Sequence, residues 1–323
     1  MMKSLQITTP GKAEIIELEK PQPAAGEALV AIEAVATCPH WDRHIYEGDP
    51  MFEGHKMEYP YWPGQPGHEA IGRVEAVGDG IDEQLVGRRV AVWRAAQPYM
   101  NGLYATHGIV ESERLLPIAE DLPAEKVTSL ELAMCVQVSI DQLSEINAIA
   151  KKRILLGGLG PGGIVGLQLL KAAGAAEVVA IDPVAERREL ALQLGAVAAV
   201  APGDPLVSVS RSGPDAFDAA LDTTGLKVSI EALMHACKRA VAIFGVLREN
   251  VSLGPAQWYG GFSLIAYGEH NRGAAERAYQ AILDGQLDLA PLFSKKMPLS
   301  QYNEAVALLQ SMEAIKVLFD PNA

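Results

Sequence analysis

Two patterns of apolar and polar positions divide the chain. Up to about residue 125, short runs alternate apolar with polar residues, and turns rich in Gly and Pro separate them. Examples are "EALVAIEAVA" (27–36), "GRVEAVG" (72–78) and "RRVAVW" (88–93). Alternation indicates strands with one buried face, and many short strands divided by turns are typical of a barrel or a sandwich. The N-terminal part is therefore predicted to be a β domain.

From about residue 126, buried strands alternate with helical segments. "RILLGG" (153–158) and "EVVAID" (177–182) read as strands, and "GGIVGLQLLKAAGA" (162–175) and "AERRELALQLGA" (185–196) read as helices. Strands that alternate with helices of about 10 to 15 residues form a parallel, doubly wound sheet. The tail from about residue 269 returns to mixed helices and strands.

Composition narrows the class of protein. A chain of 323 residues with 49% hydrophobic and 21% charged residues suits two globular domains. Its net charge of −13 argues against a nucleic acid or an anionic membrane surface as a partner. Three cysteines without framework spacing, and no signal-like or long apolar segment, predict a cytoplasmic protein.

A glycine-rich turn follows the strand at 153–158 and opens the next helix. Its G-x-G-x-x-G pattern comprises Gly158, Gly160 and Gly163, with Pro161 and Gly162 between the last two. In such a turn the first glycine permits the tight bend, the second lets a pyrophosphate approach, and the third allows close packing of helix on strand. Unpaired N–H groups at the helix start receive the phosphates. We therefore predict a dinucleotide site.

An acidic residue after the next strand selects the dinucleotide. Asp182 stands where a carboxylate would bond the ribose hydroxyls and repel a 2′-phosphate, which favours NAD. Arg187 and Arg188 follow closely and keep NADP as the alternative. Thr223 and Thr224 come at the carboxyl end of another strand, where doubly wound sheets bind ligands, so we expect them to contact the cofactor.

Side chains that bind transition metals occur in three segments. The stretch "ATCPHWDRHIYEGDP" (36–50) contains Cys38, "PGHEA" (66–70) contains His68 and Glu69, and "LELAMCVQVS" (130–139) contains Cys135. Alone, each could be an ordinary buried residue. Together, Cys38, His68 and Cys135 are a Cys₂His set with a carboxylate beside it, which leaves a tetrahedral zinc one open position. Zinc there would act as a Lewis acid toward an alcohol or a carbonyl.

At this point the chain resembles the zinc-dependent alcohol dehydrogenases of the medium-chain dehydrogenase/reductase superfamily. The resemblance covers nearly the whole chain, and its motifs are "IYEG", "GHEAIGRVEAVG", "VGRRVAV", "GLGPGG" with Asp182, and "PLSQYNEAVALLQSMEAIKVLFDP". It implies an α/β protein with a GroES-like β-barrel catalytic domain (1–136), a doubly wound Rossmann domain that binds NAD (137–268) and a return to the catalytic domain (269–323). It also implies an active site in the cleft between the domains.

The resemblance assigns roles to residues. Cys38, His68 and Cys135 match the catalytic zinc ligands, and Glu69 matches a carboxylate that lies beside the zinc and can serve as a ligand. The backbone of Gly245 and Val246 is implied to lie near the nicotinamide. The family's lobe of four cysteines for a second zinc is missing between residues 93 and 107, so one zinc is expected.

The usual proton relay is also altered. Family members commonly carry a hydroxyl residue two places after the first cysteine, whereas this chain reads Cys38-Pro39-His40-Trp41-Asp42. In one register His40 replaces the hydroxyl; in the other, one residue is inserted and His44 matches a histidine that ends the relay. Either histidine is suited to proton transfer. Asp42 is expected to orient a ligand or a relay group.

The predicted activity is hydride transfer between NAD and a small or medium alcohol or polyol. One alternative is a zinc-free reductase on the same scaffold that reduces enones or quinones with NADPH, and the presence of all three ligands weighs against it. The other is a non-catalytic dinucleotide-binding protein, to which only the unusual His40-Trp41 pair points. By resemblance, the protein is expected to be a homodimer or homotetramer.

Overall fold

The computed structural model describes residues 1–51, 54–94 and 100–323. It divides into two compact units. The first unit comprises Met1–Leu132 and Leu289–Ala323, and the second comprises Ala133–Asp288. The boundaries predicted from the sequence lie at 136/137 and 268/269. The predicted and the observed divisions both have a first unit that contains the two ends of the chain.

The elements are numbered in chain order. The strands are β1 (Met2–Thr9), β2 (Lys12–Leu18), β3 (Glu27–Ala36), β4 (Glu69–Val77), β5 (Arg89–Val92), β6 (His107–Glu111), β7 (Leu115–Pro117), β8 (Arg153–Gly157), β9 (Glu177–Ile181), β10 (Ala198–Val200), β11 (Phe217–Asp222), β12 (Cys237–Ile243), β13 (Ser263–Ile265), β14 (Phe293–Pro298) and β15 (Lys316–Asp320). The α-helices are α1 (Pro39–Glu47), α2 (Leu130–Glu145), α3 (Pro161–Ala172), α4 (Ala185–Gln193), α5 (Lys227–Ala236), α6 (Pro255–Trp258), α7 (Arg272–Leu283) and α8 (Tyr302–Gln310).

The first unit is built on antiparallel strands, as the alternating pattern predicts. Within the described residues, β1 and β2 form one sheet, and a larger sheet has the order β14-β15-β3-β4-β5-β7 with β6 paired to β3. The return segment adds β15 antiparallel to β3 and β14 parallel to β15. Apolar side chains of these strands and of α8 share one buried core, which includes Ile7, Val30, Val306 and Phe319. The last 35 residues are therefore structural members of this unit.

The second unit contains the predicted parallel sheet. Its order among the described strands is β10-β9-β8-β11-β12-β13, and every pairing is parallel. Relabelled by position in the unit, the order is 3-2-1-4-5-6, the arrangement of dinucleotide-binding doubly wound sheets, with a switch point between β8 and β11. The glycine-rich turn leaves β8 at that switch point.

The sequence analysis did not predict helices α1 and α2. The polar residues after Cys38 form α1, because Pro39 occupies its first turn, and Gly48 ends it with φ 77° and an N–H bond to the carbonyl of His44. Helix α2 is buried on nearly all sides from Leu130 to Ile140, so its sequence lacks the periodicity of a surface helix. Within the residues that the structure describes, no helix is both long and apolar enough to cross a membrane.

Candidate metal centre and dinucleotide loop

Cys38 is held in the first unit by a buried carboxylate. The residue precedes α1, and its N–H donates to Oδ2 of Asp42 at 2.6 Å. The hydroxyls of Tyr104 and Tyr302 donate to the same carboxylate at 2.7 to 2.9 Å. Burial raises the pKa of Asp42 to about 6, although these hydrogen bonds lower it. Asp42 therefore holds the backbone of Cys38 in place, and its role in orienting a ligand or a relay group stays a prediction.

His68 presents one nitrogen that is suited to a metal. Its Nδ1 lies 2.6 Å from the carbonyl of Pro66, so Nδ1 carries the proton that donates there, and Nε2 offers a lone pair once it gives up its own proton. Burial lowers the pKa of His68, but Cys38, Glu131 and Glu69 outweigh it and raise it to about 10. A cluster that attracts a proton this strongly is one in which a cation is electrostatically favoured.

The structure brings three of the four predicted metal residues together. Ligand atoms of Cys38, His68 and Glu69 all lie within 4.8 Å of one another. Thiolate, imidazole and carboxylate are the donor types that zinc binds in proteins, so these residues fit the ion that the sequence predicts.

Glu131 is a donor that sequence reasoning missed. It belongs to the first unit, is buried, and places Oε2 3.9 Å from Nε2 of His68. The available signal was a lone acidic residue inside the apolar run "SLELAMCV" (129–136). Acidic side chains are rarely buried without a partner, so an acidic residue inside an apolar run indicates a buried polar or metal-binding contact.

Cys135 lies one helical turn after Glu131 along α2 and belongs to the second unit. There its Sγ is 3.4 Å from Nε2 of His270, whose ring also packs edge-on against Tyr267. No motif in the sequence pointed to this contact of His270. The role of Cys135 as a zinc ligand stays a prediction.

Glu69 has a strong partner that the sequence did not indicate. Nζ of Lys316 lies 2.5 and 2.6 Å from the two carboxylate oxygens, and the side chains of Lys316 and Glu69 are 0% and 1% exposed. The two residues are 247 positions apart, so no local pattern joins them.

The two rival relay histidines are neighbours. His40 and His44 lie on α1 with ring centroids 4.9 Å apart. Nδ1 of His44 lies 2.8 Å from Oδ2 of Asp49, whose side chain is mostly exposed. His40 and His44 therefore occupy consecutive positions along one face of the helix, with Asp49 at the solvent end.

Each glycine of the predicted fingerprint meets a different environment. Gly158 has φ 88°, and a Cβ at Gly163 would overlap the carbonyl oxygen of Gly158. A Cβ at Gly162 would lie 2.6 Å from the ring of Phe244. By contrast, a Cβ at Gly160 would meet no atom within 4 Å. Three of these glycines serve packing or the turn, and Gly160 faces open space.

The loop also opens a helix in the way that phosphate binding requires. Gly160 is the residue before α3, its backbone is extended, and Pro161 occupies the first turn. The first N–H groups of an α-helix have no acceptor within the helix, so this helix start is suited to receive a phosphate.

Asp182 is bound to the loop itself. Its Oδ2 accepts from the N–H of Leu159 at 2.7 Å, and its Oδ1 accepts from Val184 at 2.8 Å. Arg188 donates to the carbonyl oxygens of Asp182 and Pro183. One of the two arginines that kept NADP open is therefore engaged with backbone carbonyls.

The threonines after β11 bond to the protein. The Thr223 hydroxyl donates to the carbonyls of Gly157 and Gly158, and the Thr224 hydroxyl donates to Oδ1 of Asp222 at 2.7 Å. Asp222 is fully buried, and burial raises its pKa above the ordinary carboxyl value. The Thr223 side chain thus binds the start of the glycine loop, and the Thr224 side chain binds Asp222. Cofactor contact by either threonine stays a prediction.

The ends of β11 and β12 pack backbone to backbone. A Cβ at Gly245 would overlap the N–H of Gly225, and one at Gly225 would overlap the carbonyl of Val246. Gly225 also has φ 69°. The predicted nicotinamide contacts Gly245 and Val246 therefore lie beside the threonine loop.

Two family models match the chain. One, described as alcohol dehydrogenase GroES-like domain, covers residues 24–120, and the other, described as zinc-binding dehydrogenase, covers residues 161–271. By sequence the chain is 27% identical to the L-threonine 3-dehydrogenase of Pyrococcus horikoshii, over 98% of each chain. It is 26% identical to the (R,R)-butanediol dehydrogenase of Bacillus subtilis, over 66% of this chain and 68% of that protein.

Solved structures show the same fold. A protein described as a zinc-binding dehydrogenase from Sinorhizobium meliloti, bound to NADP, superposes with a TM-score of 0.85 at 22% identity over 99% of each chain. RspB from Escherichia coli CFT073, in complex with NADH, superposes with a TM-score of 0.84 at 20% identity over 99% of each chain.

These matches agree with the sheet order and the donor cluster. The chain belongs to the zinc-dependent alcohol dehydrogenase family of the medium-chain dehydrogenase/reductase superfamily. It is accordingly an oxidoreductase with a GroES-like domain and a Rossmann-type domain.

Proposed function

We propose that the protein is a zinc-dependent dehydrogenase that transfers a hydride between NAD and a small polar secondary alcohol. The observation that carries this proposal is the cluster of Cys38 and His68 with flanking carboxylates, in a chain whose second unit has an open glycine loop. In the oxidative direction the alcohol carbon gives a hydride to the nicotinamide and the hydroxyl gives up a proton, so a ketone, NADH and H⁺ result.

Cys38 and His68 are the ligands with the best support. His68 offers a lone pair on Nε2, and Asp42 orients Cys38. The third ligand comes from α2, either from Glu131, which approaches His68, or from Cys135, the residue selected on sequence. Bound zinc would act as a Lewis acid on the substrate oxygen.

NAD is the preferred dinucleotide. The carboxylate of Asp182 stands at the end of β9 beside the glycine loop, where it would repel a 2′-phosphate. Arg188 is occupied by carbonyls, which leaves Arg187 as the nearby cation for NADP. We expect Asp182→Ala to lower the NAD over NADP preference in kcat/KM at least about tenfold. An unchanged ratio would refute the role of this carboxylate.

The relatives support this substrate class. Threonine and 2,3-butanediol are both secondary alcohols with a polar substituent on the neighbouring carbon, and their names occur among the dehydrogenases to which this chain is similar. His40 and His44 would take the proton toward Asp49. We also propose a cytoplasmic homodimer or homotetramer, which light scattering at micromolar concentration would test.

The decisive experiment measures zinc per chain in protein purified without chelators, then NADH formation at 340 nm with threonine, 2,3-butanediol and polyols. We expect about one zinc and a measurable rate with at least one alcohol. Cys38→Ser should lose both, while Cys237→Ala, at a buried cysteine in the second unit, should retain both. A zinc content below about a tenth of an ion per chain would refute the proposal.

A second measurement identifies the ligand from α2. Glu131→Gln and Cys135→Ser are compared for zinc content and for NAD affinity. The variant that loses zinc while binding NAD normally marks the ligand. If neither variant loses zinc, α2 supplies no ligand and the proposed set is wrong.

A further inference from the structure

Described residues of the first unit line a cavity of about 400 Å³, and none of the metal-binding side chains is among them. Strands β1 and β6 and residues 100–103 contribute to its walls. The buried part of the lining is apolar, since Met2, Val92, Leu103 and Val110 are each at most 8% exposed. Small-molecule sites in proteins have about this size and combine an apolar lining with a few polar groups. The cavity is therefore a candidate ligand site.

Charged side chains of both signs line this cavity. Arg94 and Glu19 are two of them, and neither forms an ion pair with any residue that the structure describes. Glu111 and Arg114 neutralise each other, because Oε2 of Glu111 lies 3.0 Å from Nε of Arg114. Burial lowers the pKa of His107, so this ring adds no charge near neutral pH. One cation and at least one carboxylate are thus left for a ligand.

The exposed part of the lining adds an aromatic ring, a thioether and a second carboxylate. Trp62 and Met100 are each 46% exposed. Aromatic rings stack on indoles and make favourable contacts with thioethers. Glu27 supplies the carboxylate, and its Oε2 accepts from the N–H of Ala24 at 3.0 Å. The cavity therefore suits a ligand with a large apolar group and charges of both signs.

We propose that this cavity binds a free α-amino acid with a large apolar side chain. The carboxylate of the ligand pairs with Arg94, and its ammonium pairs with Glu19 or Glu27. The apolar side chain enters the buried part of the cavity and contacts Trp62. Charge-assisted hydrogen bonds of this kind are stronger than neutral ones, so both charges of the ligand contribute to affinity. The site is separate from the proposed catalysis and does not depend on it.

Calorimetric titration of the full chain with L-phenylalanine, in the absence of NAD, tests the ligand class. We expect saturable binding with a dissociation constant of about 1 mM or below. Phenylalaninamide lacks the carboxylate and N-acetylphenylalanine lacks the ammonium, so each should bind at least about tenfold more weakly. Equal affinity for the three compounds would overturn the proposal, as would a titration with L-phenylalanine that does not saturate.

Substitutions of the lining charges locate the site. Arg94→Gln, and Glu19→Gln combined with Glu27→Gln, should each weaken L-phenylalanine binding at least about tenfold. Arg88→Gln and Glu17→Gln are the matched controls, since both residues are exposed and neither is on the lining. These controls should keep the parent affinity. Parent affinity in both lining variants would overturn the proposal.

A metal-site variant separates this cavity from the metal centre. Cys38→Ser is expected to lose zinc, yet it should bind L-phenylalanine as tightly as the parent protein, because Cys38 is not on the lining. Loss of binding in Cys38→Ser would assign the ligand to the metal centre and overturn the proposal. Zinc content and NADH formation, measured on the same preparations, test the proposed function independently.

Discussion

Each unit contains a buried aspartate whose carboxylate accepts several hydrogen bonds. The donors to the two carboxylates lie at different distances along the sequence. Asp222 in the second unit accepts hydrogen bonds from Thr224, Gly225 and Ser229, all within seven residues of it. Asp42 in the first unit accepts from Cys38, but also from Tyr104 and Tyr302, which are 62 and 260 residues away. Both carboxylates are fully buried, and burial raises the pKa of each.

The two sites are therefore assembled from different parts of the chain. The dinucleotide loop consists of local backbone, whose shape is set by glycines and by side chains a few residues away. The metal centre is assembled from distant segments, since Tyr302 and Lys316 reach Asp42 and Glu69 from the return segment. Substitutions far along the chain should therefore disturb the metal centre, while the loop should respond to its own residues.

We expect the largest effect from substitutions at two glycines of the dinucleotide loop, which should lose different properties. Gly163→Ala would drive a methyl group into the carbonyl of Gly158, so we expect unfolding of the second unit at lower temperature and loss of dinucleotide binding. Gly160→Ala meets no protein atom within 4 Å, so the melting temperature should stay unchanged. Dinucleotide affinity should nevertheless fall about tenfold or more, because the methyl would occupy space for the pyrophosphate.

Calorimetry and titration with NADH, followed by fluorescence, measure both quantities. Normal NADH affinity in Gly160→Ala would show that the open space is not the phosphate site. Equal melting temperatures for the two variants would contradict the packing role of Gly163.

A distant tyrosine should matter to the first unit. Tyr302→Phe removes a donor from the buried carboxylate of Asp42, and an unmet hydrogen bond of this kind costs about 1 to 3 kcal/mol. We expect the free energy of unfolding in urea to fall by that amount and zinc to be lost faster, because Asp42 also binds the N–H of Cys38.

Tyr259→Phe is the control for that substitution, since its side chain is 81% exposed in the second unit. It should change neither stability nor zinc loss. A Tyr302→Phe protein as stable as the parent would mean that water or another group replaces the lost donor. The segment that carries Cys38 would then not depend on the return segment.

The sequence was most informative where structure is local. The glycine fingerprint, the strands around it and Asp182 could be predicted because backbone geometry restricts which residues fit, and the environments of Gly158 and Gly163 show this restriction. Cys38, His68 and Glu69 could be collected as metal-binding types, and they do lie together.

Distant partners could not be read from local patterns. Glu131 was hidden in a helix buried on nearly all sides, where apolar periodicity vanishes. Lys316 looked like an ordinary basic residue at the start of a strand, and only tertiary pairing of β15 with β3 brings the return segment to the sheet that carries Glu69. Burial and pairing over 247 residues are properties of the fold, not of a spacing.

The smallest expected effect concerns pH and the local aspartate. Burial raises the pKa of Asp222 above its ordinary value of 3.8, so above pH 3.8 the folded state binds its proton more strongly than the unfolded state. By linkage, Asp222 favours folding fully below pH 3.8, and that contribution is lost as pH rises through the raised pKa. Asp222→Asn should lack this decline, because it cannot titrate. Urea unfolding followed from pH 4 upward should thus show the parent losing stability relative to the variant, whereas Asp215→Asn, at an exposed carboxylate, should follow the parent. A parent that gains stability relative to Asp222→Asn over this range would mean that the four local hydrogen bonds outweigh burial.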